Sequence, residues 1–211
     1  MSTYGQPKFP IPKKKSIQEV LKFIQTQIDE FRKKCIKEGI NLEDKLTQEL
    51  CILLERHSRN QGKIFQFQSQ YIEHGLKTSV DIGVILVKGY SSKAFLTLEA
   101  KRLPPTNHRD YVQGRTGGIE RYKLNQHGKN LQRGVLIGYV QKNTFKYWFK
   151  EINKWIDEKI YSGNQKKIKW TTGDKLNKKK INTNVAIFES NNSRVISKNI
   201  ILTHIWILMY D

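Results

Sequence analysis

Asp81, Glu99 and Lys101 are the residues whose types and spacing could do chemistry, in "SVDIGVIL" and "FLTLEAKRL". Both segments read as strands, and the polar "YSSK" between them reads as a turn. A turn there pairs the strands antiparallel and sets Asp81 opposite residue 100, give or take one register step. Glu99 and Lys101 share a face, because strand side chains repeat every second residue. Two carboxylates and an amine therefore gather at the open end of one hairpin. Burying such a cluster without a use is costly. A carboxylate pair is a hard oxygen donor set suited to Mg²⁺, which takes one or two of them and keeps several waters. A lysine whose pKa is lowered by burial would orient or deprotonate a water, while the metal polarises a phosphodiester. The alternative is an ordinary surface ion pair on a lysine-rich chain.

The elements that must hold these residues can be read along the chain. Residues 1–15 are rich in Pro and Lys and read as a disordered or loosely docked basic tail. From Ser16 the pattern is helical: Ser16 and Glu19 form a capping box, Val20, Ile24, Ile28, Phe31 and Cys35 line one face, and Gly39 stops the helix. Asn41 caps a second helix with Leu42, Leu46, Leu50, Leu53 and Leu54 as its apolar stripe. Strands follow in "KIFQFQSQY" and in the hairpin. A short helix is expected in "GGIERYKLNQHG", then a buried strand in "RGVLIGYVQ". Asn143 caps an amphipathic helix through Ile160, and "NVAIFES" and "NIILTHIWILMY" supply the last strands. The order ααβββαβαββ predicts an α/β (α+β) fold, a mixed central sheet flanked by helices. The basic stretch 164–180 reads as an exposed loop inserted before the final strands.

Composition bounds the partners. The 211 residues suit one domain spanning 16–211, and 37% hydrophobic with 10% aromatic residues allows a real core. A formal charge of +19 creates a field that attracts polyanions, nucleic acid above all. A lysine-rich genome is the bland account of the same number. Cys35 and Cys51 sit in helical patterns and read as buried thiols. No apolar run is long enough to span a bilayer and no signal peptide is visible, so no membrane partner and a cytoplasmic location are expected.

"SVDIGVIL…FLTLEAKRL" resembles the core of the PD-(D/E)XK restriction-endonuclease-like nucleases, with Asp81, Glu99 and Lys101 in the motif positions. "NLEDKLTQELCILLE" looks like the helix before that core, whose acidic residue can complete the metal site, here Glu43 rather than Glu49. "DYVQGRTGGIERY" and Thr203–His204 resemble segments of small, defence-associated members, so the likeness runs from about residue 41 to the end. One departure is that Val80, not proline, precedes Asp81. The resemblance implies a restriction-endonuclease-like fold and Mg²⁺- or Mn²⁺-dependent hydrolysis of phosphodiester bonds. DNA is the expected substrate, with RNA open, in restriction, anti-phage defence or DNA processing. Asp81, Glu99 and the Ala100 carbonyl would hold the metal, and Lys101 would place the attacking water. Cutting two strands would call for a homodimer, and a partner protein could supply targeting. The alternatives are a catalytically silent nucleic-acid-binding module and a subunit that binds an acidic protein.

Other residues divide between roles. Arg121, Tyr122, Gln113 and Gln126 are candidate substrate contacts, and Gly117 and Gly118 either approach a phosphate or form a turn. Lys178, Lys179 and Lys180 would grip phosphates without reading sequence or merely keep the loop solvated, and Trp170 is the better candidate to stack on a base. His57, His74, His108, His127 and His204 lack the spacing of a zinc site. His108 and His127 bracket the Gly-rich segment and read as surface polar residues, with substrate contact the alternative, and His204 reads as a satisfied core histidine.

Overall fold

The structure is a computed structural model that describes residues 14–73, 75–87, 93–104, 109–114, 116–162 and 168–211. The tail up to residue 13, His74, His108, positions 90–92 of the expected turn and positions 164–167 of the basic stretch lie outside the described residues. The helices are α1 (Lys14–Lys37), α2 (Glu43–Asn60), α3 (Gly118–Lys123) and α4 (Phe145–Tyr161). The strands are β1 (Phe65–Ile72), β2 (Ser79–Leu86), β3 (Leu96–Leu103), β4 (Arg133–Val140), β5 (Asn177–Ile181), β6 (Val185–Asn192) and β7 (Ile200–Leu208).

The seven strands form one mixed sheet in the order β1-β2-β3-β4-β7-β6-β5. β3, β4 and β7 run parallel at its centre, and the two antiparallel arms lie outside them. Alternation sorts the side chains to two faces. Leu96, Leu98, Val135 and Ile137 pack with Phe31, Leu50 and Leu54 of α1 and α2. Leu136, Val140 and Trp206 pack with Ile119, Tyr122, Trp148 and Ile152 of α3 and α4. β4 is covered on both faces, so its sequence reads as a continuous apolar run rather than an alternation.

Several boundaries differ from the sequence reading. α1 begins at Lys14, so Ser16 is inside the helix and not its cap. Leu42, with no side-chain hydrogen bond, occupies the N-cap of α2 instead of Asn41. Thr144 caps α4 by accepting from the Tyr147 amide, while Asn143 sits just outside at φ +65. The described part of the basic stretch is not a loop. Trp170 is buried at its start, Thr172–Asp174 make a 3-10 turn, and Lys178–Lys180 lie on β5. β5 escapes pattern reading because all five of its residues are exposed, which leaves no apolar alternation to detect. Cys35 and Cys51 are free and buried. Among the described residues no helix is long and apolar enough to cross a membrane.

Candidate active site

The site begins as a gap in the sheet. β2 pairs with β3 from Val84–Leu96 to Ile82–Leu98 and no further, a register that sets Asp81 level with Glu99. Beyond Leu98, β3 stays bonded to β4 alone, and its other edge carries amides that need acceptors. Two carboxylates supply them. Asp81 Oδ2 accepts from the Ala100 amide at 2.8 Å, and Glu43 Oε2 from the Arg102 amide at 2.8 Å. Side-chain oxygens thus continue the ladder where the main chain of β2 leaves it. The Ala100 carbonyl projects to the same edge as its amide, as both groups of an extended residue do.

β1 yields at the same level. Ser69–Ile82 and Tyr71–Val80 pair normally, but Gln70 between them has φ +48. A non-glycine residue in that region costs on the order of 1 kcal/mol. Gln70, Ser69, Ser79, Thr116 and Arg121 join Glu43, Asp81, Glu99 and Lys101 around one open cavity of about 550 Å³.

Charge is concentrated at the floor of that cavity. Lys101 Nζ lies 3.0 Å from Glu43 Oε1 and 3.1 Å from Glu99 Oε1. Arg121 donates to Glu99 Oε1 at 3.0 Å. His127 Nε2 is 3.2 Å from Glu99 Oε2 but lacks hydrogen-bond alignment, which leaves both atoms without a hydrogen-bond partner. Glu99 and His127 are fully enclosed, with side-chain exposures of 1% and 0%.

These neighbours set the acidities. Burial and the Glu99 charge push the Asp81 carboxyl up to about 7, against the pull of Lys101 and the Ala100 amide. Burial would raise Glu99 too, but the contact with His127 and the charges of Lys101 and Arg121 outweigh it and hold the carboxyl at about 2. Lys101 corrects the sequence reading. Burial alone would lower its pKa, yet the carboxylates of Glu99, Glu43 and Asp81 together raise it. Among these carboxylates the residue is an ammonium that can donate hydrogen bonds.

The donors fit a small hard cation. Asp81 keeps Oδ1 clear of hydrogen bonds among the described residues, Glu99 Oε2 has no hydrogen-bond partner, and the Ala100 carbonyl faces the gap. Among the described residues no group of three or more His, Cys, Asp and Glu side chains is arranged to hold a metal ion. Two carboxylates and a carbonyl are nonetheless the donor types that Mg²⁺ takes, with water completing its shell.

The remaining candidates scatter. Glu43 reaches the cluster, whereas Glu49 pairs with Lys34 at 2.5 Å elsewhere on the helices. Tyr122 is not a substrate contact: its ring is wholly buried and its hydroxyl donates to the Thr97 and Val135 carbonyls. Trp170 is likewise buried, with Lys123 Nζ 4.8 Å from its ring centre, and cannot stack on a base. Gln113 and Gln126 lie outside the cavity lining. Gly117 and Gly118 are small for packing reasons. A Cβ on Gly117 would meet the Gln113 backbone at 2.4 Å, and one on Gly118 the Leu136 side chain at 2.7 Å.

His204 is the enclosed core histidine expected, held at both nitrogens by Tyr111 Oη and Ser190 Oγ at 2.9 Å. Trp206 donates to that Tyr111 oxygen and Asn192 to that Ser190 oxygen, which ties both hydroxyls into one buried network around the ring. Burial pushes its pKa down to about 3. His127, read as a surface residue, is instead the buried neighbour of Glu99. Its spacing gives no signal, although a carboxylate buried at Glu99 demands cationic or donor partners from somewhere in the chain.

No family model, curated protein or solved structure matches the chain.

Proposed function

We propose that the chain is a metal-dependent phosphodiester hydrolase acting on DNA, built on a restriction-endonuclease-like core of the PD-(D/E)XK kind. The observation that carries this reading is the cavity in which Asp81 and Glu43 cap the free edge of β3 beside Glu99 and Lys101. The mixed sheet, with one helix supplying Glu43 and the hairpin supplying the other three residues, is consistent with that core.

Asp81, Glu99 and the Ala100 carbonyl would hold Mg²⁺ or Mn²⁺. The chemistry that ion supplies is Lewis-acid polarisation of the scissile phosphate. Asp81 gives up its proton when it turns to a cation, because its raised pKa reflects burial and the like charge of Glu99. Lys101, braced between Glu43 and Glu99, donates a hydrogen bond to the attacking water or to a phosphate oxygen as charge develops. Arg121 stands at the same carboxylate and can offer its remaining donors to a second phosphate oxygen.

A catalytically silent nucleic-acid-binding module, or a subunit that binds an acidic protein, is the competing reading. The feature that favours it is the Arg121–Glu99 contact, which already satisfies one oxygen of the central carboxylate with a cation. End-labelled single-stranded DNA, duplex DNA and RNA, each incubated with Mg²⁺, Mn²⁺ or EDTA, separate the two. Cleavage of at least the duplex with metal, and of nothing in EDTA, is the expected result. Intact strands under every metal condition would remove the hydrolase reading.

A further inference from the structure

α4 carries Lys146, Lys150 and Lys154 at four-residue spacing, all exposed, and exposed Lys142 lies just ahead of the helix. That spacing stacks the three helical ammonium groups on one face, where like charges repel. None of the four meets a carboxylate among the described residues, whereas Lys175 beside them is tied to Asp157 at 2.7 Å.

The β5 edge adjoins this stripe. Asn153 of α4 accepts from the Leu176 amide at 2.7 Å, and Lys178 Nζ lies 4.9 Å from the Phe149 ring centre. Exposed Lys178 therefore extends the same basic surface, whereas Lys179 turns to Glu189 at 3.6 Å and Lys180 lines a cavity with Lys22 and Asp29 of α1. The frame beneath is rigid: Trp148, Ile152 and Ile156 anchor α4 in the core, and Phe149 stacks on Phe188 of β6 at 5.3 Å.

A firm row of ammonium groups that form no ion pair among the described residues complements a polyanion whose charges recur along a line. We propose that the α4–β5 face is a sequence-independent docking track for the phosphate backbone of duplex DNA, separate from the cavity at Asp81. The choice of DNA rests on the hydrolase reading. Four strand steps separate β3 from β5, about 19 Å at ~4.8 Å per step. A duplex touching both cavity and track therefore covers at least about six base pairs at ~3.4 Å each.

Fluorescence anisotropy with a labelled random-sequence duplex in EDTA, over a KCl series, tests the track without requiring cleavage. The triple substitution Lys146→Gln, Lys150→Gln, Lys154→Gln should reduce the slope of log affinity against log salt by about 2 to 3 and weaken binding roughly tenfold or more. The control, Lys22→Gln, Lys33→Gln, Lys37→Gln, removes the same charge from exposed positions of α1 on the other face of the sheet and should have a clearly smaller effect. Equal weakening by both triples, or none by the α4 triple, overturns the proposal. So does tighter binding of the wild type to anionic phospholipid vesicles than to the duplex. Absence of cleavage alongside α4-dependent duplex binding would count against the hydrolase reading and leave the track standing.

Discussion

At the residue scale, the cavity holds carboxylates of opposite character a few ångströms apart. Glu99, caged by cations, ionises at about 2, while Asp81, which faces burial and a like charge, does so only near 7. The consequence for stability has a definite sign. The folded chain keeps the Asp81 proton to about pH 7, whereas the unfolded chain releases it near 3.8. Ionising Asp81 therefore costs stability progressively between those values, and the full cost applies above the upper one. Asp81→Asn keeps an oxygen for the Ala100 amide and removes that cost. In EDTA near pH 8 the variant should be more stable to urea by about 1–3 kcal/mol, with the difference vanishing toward pH 4. No gain at the higher pH would show that the carboxyl is not strained as described. Asp81, Glu99 and Lys101 were legible in the sequence because strand periodicity puts the last two on one face and the hairpin register brings Asp81 opposite them. Arg121 and His127 as the partners of Glu99 were not, since their placement depends on how α3 and the segment after it fold back over β3.

At the element scale, α3 is fixed from behind by an ion pair that no pattern announces. Lys123 and Asp174 are both wholly enclosed and 2.6 Å apart. Burial lowers the pKa of Lys123 and raises that of Asp174, so desolvation exceeds attraction at each partner. Such a pair pins two segments together more than it stabilises them. Asp174 also accepts from the Thr171 amide at 2.6 Å, which locks the 3-10 turn against α3. Asp174→Ala strands a buried ammonium and should cost about 3–5 kcal/mol in urea denaturation, whereas Lys123→Met with Asp174→Leu should recover most of it. An Asp174→Ala protein as stable as wild type would contradict this role. Helix and strand identities were legible wherever an apolar face repeats. Caps and β5 were not: Leu42 caps α2 through backbone geometry alone, and β5 presents only exposed side chains to the pattern.

At the scale of the whole molecule, the sheet changes from antiparallel to parallel at β3, and the cavity lies where β2 peels away from that strand. Parallel pairing with β4 holds β3 in place while its opposite edge is left free for the carboxyl groups of Asp81 and Glu43. The mixed sheet with helices on both faces was legible as an element order, but the strand order β1-β2-β3-β4-β7-β6-β5 was not, because crossovers are settled by packing of the two faces. The charge of +19 was legible as a number, but the stripe that three of its lysines form along α4 belongs to the folded chain. The central claim is that Asp81, Glu99 and Lys101 together break phosphodiester bonds. It is tested most directly by the initial rate of supercoiled-plasmid nicking in Mg²⁺ or Mn²⁺ for wild type, Asp81→Ala, Glu99→Gln and Lys101→Met. Nicking by the wild type, lowered roughly a hundredfold or more in each variant and abolished by EDTA, is the predicted result. Equal nicking by all four proteins, or none by any of them, would contradict it.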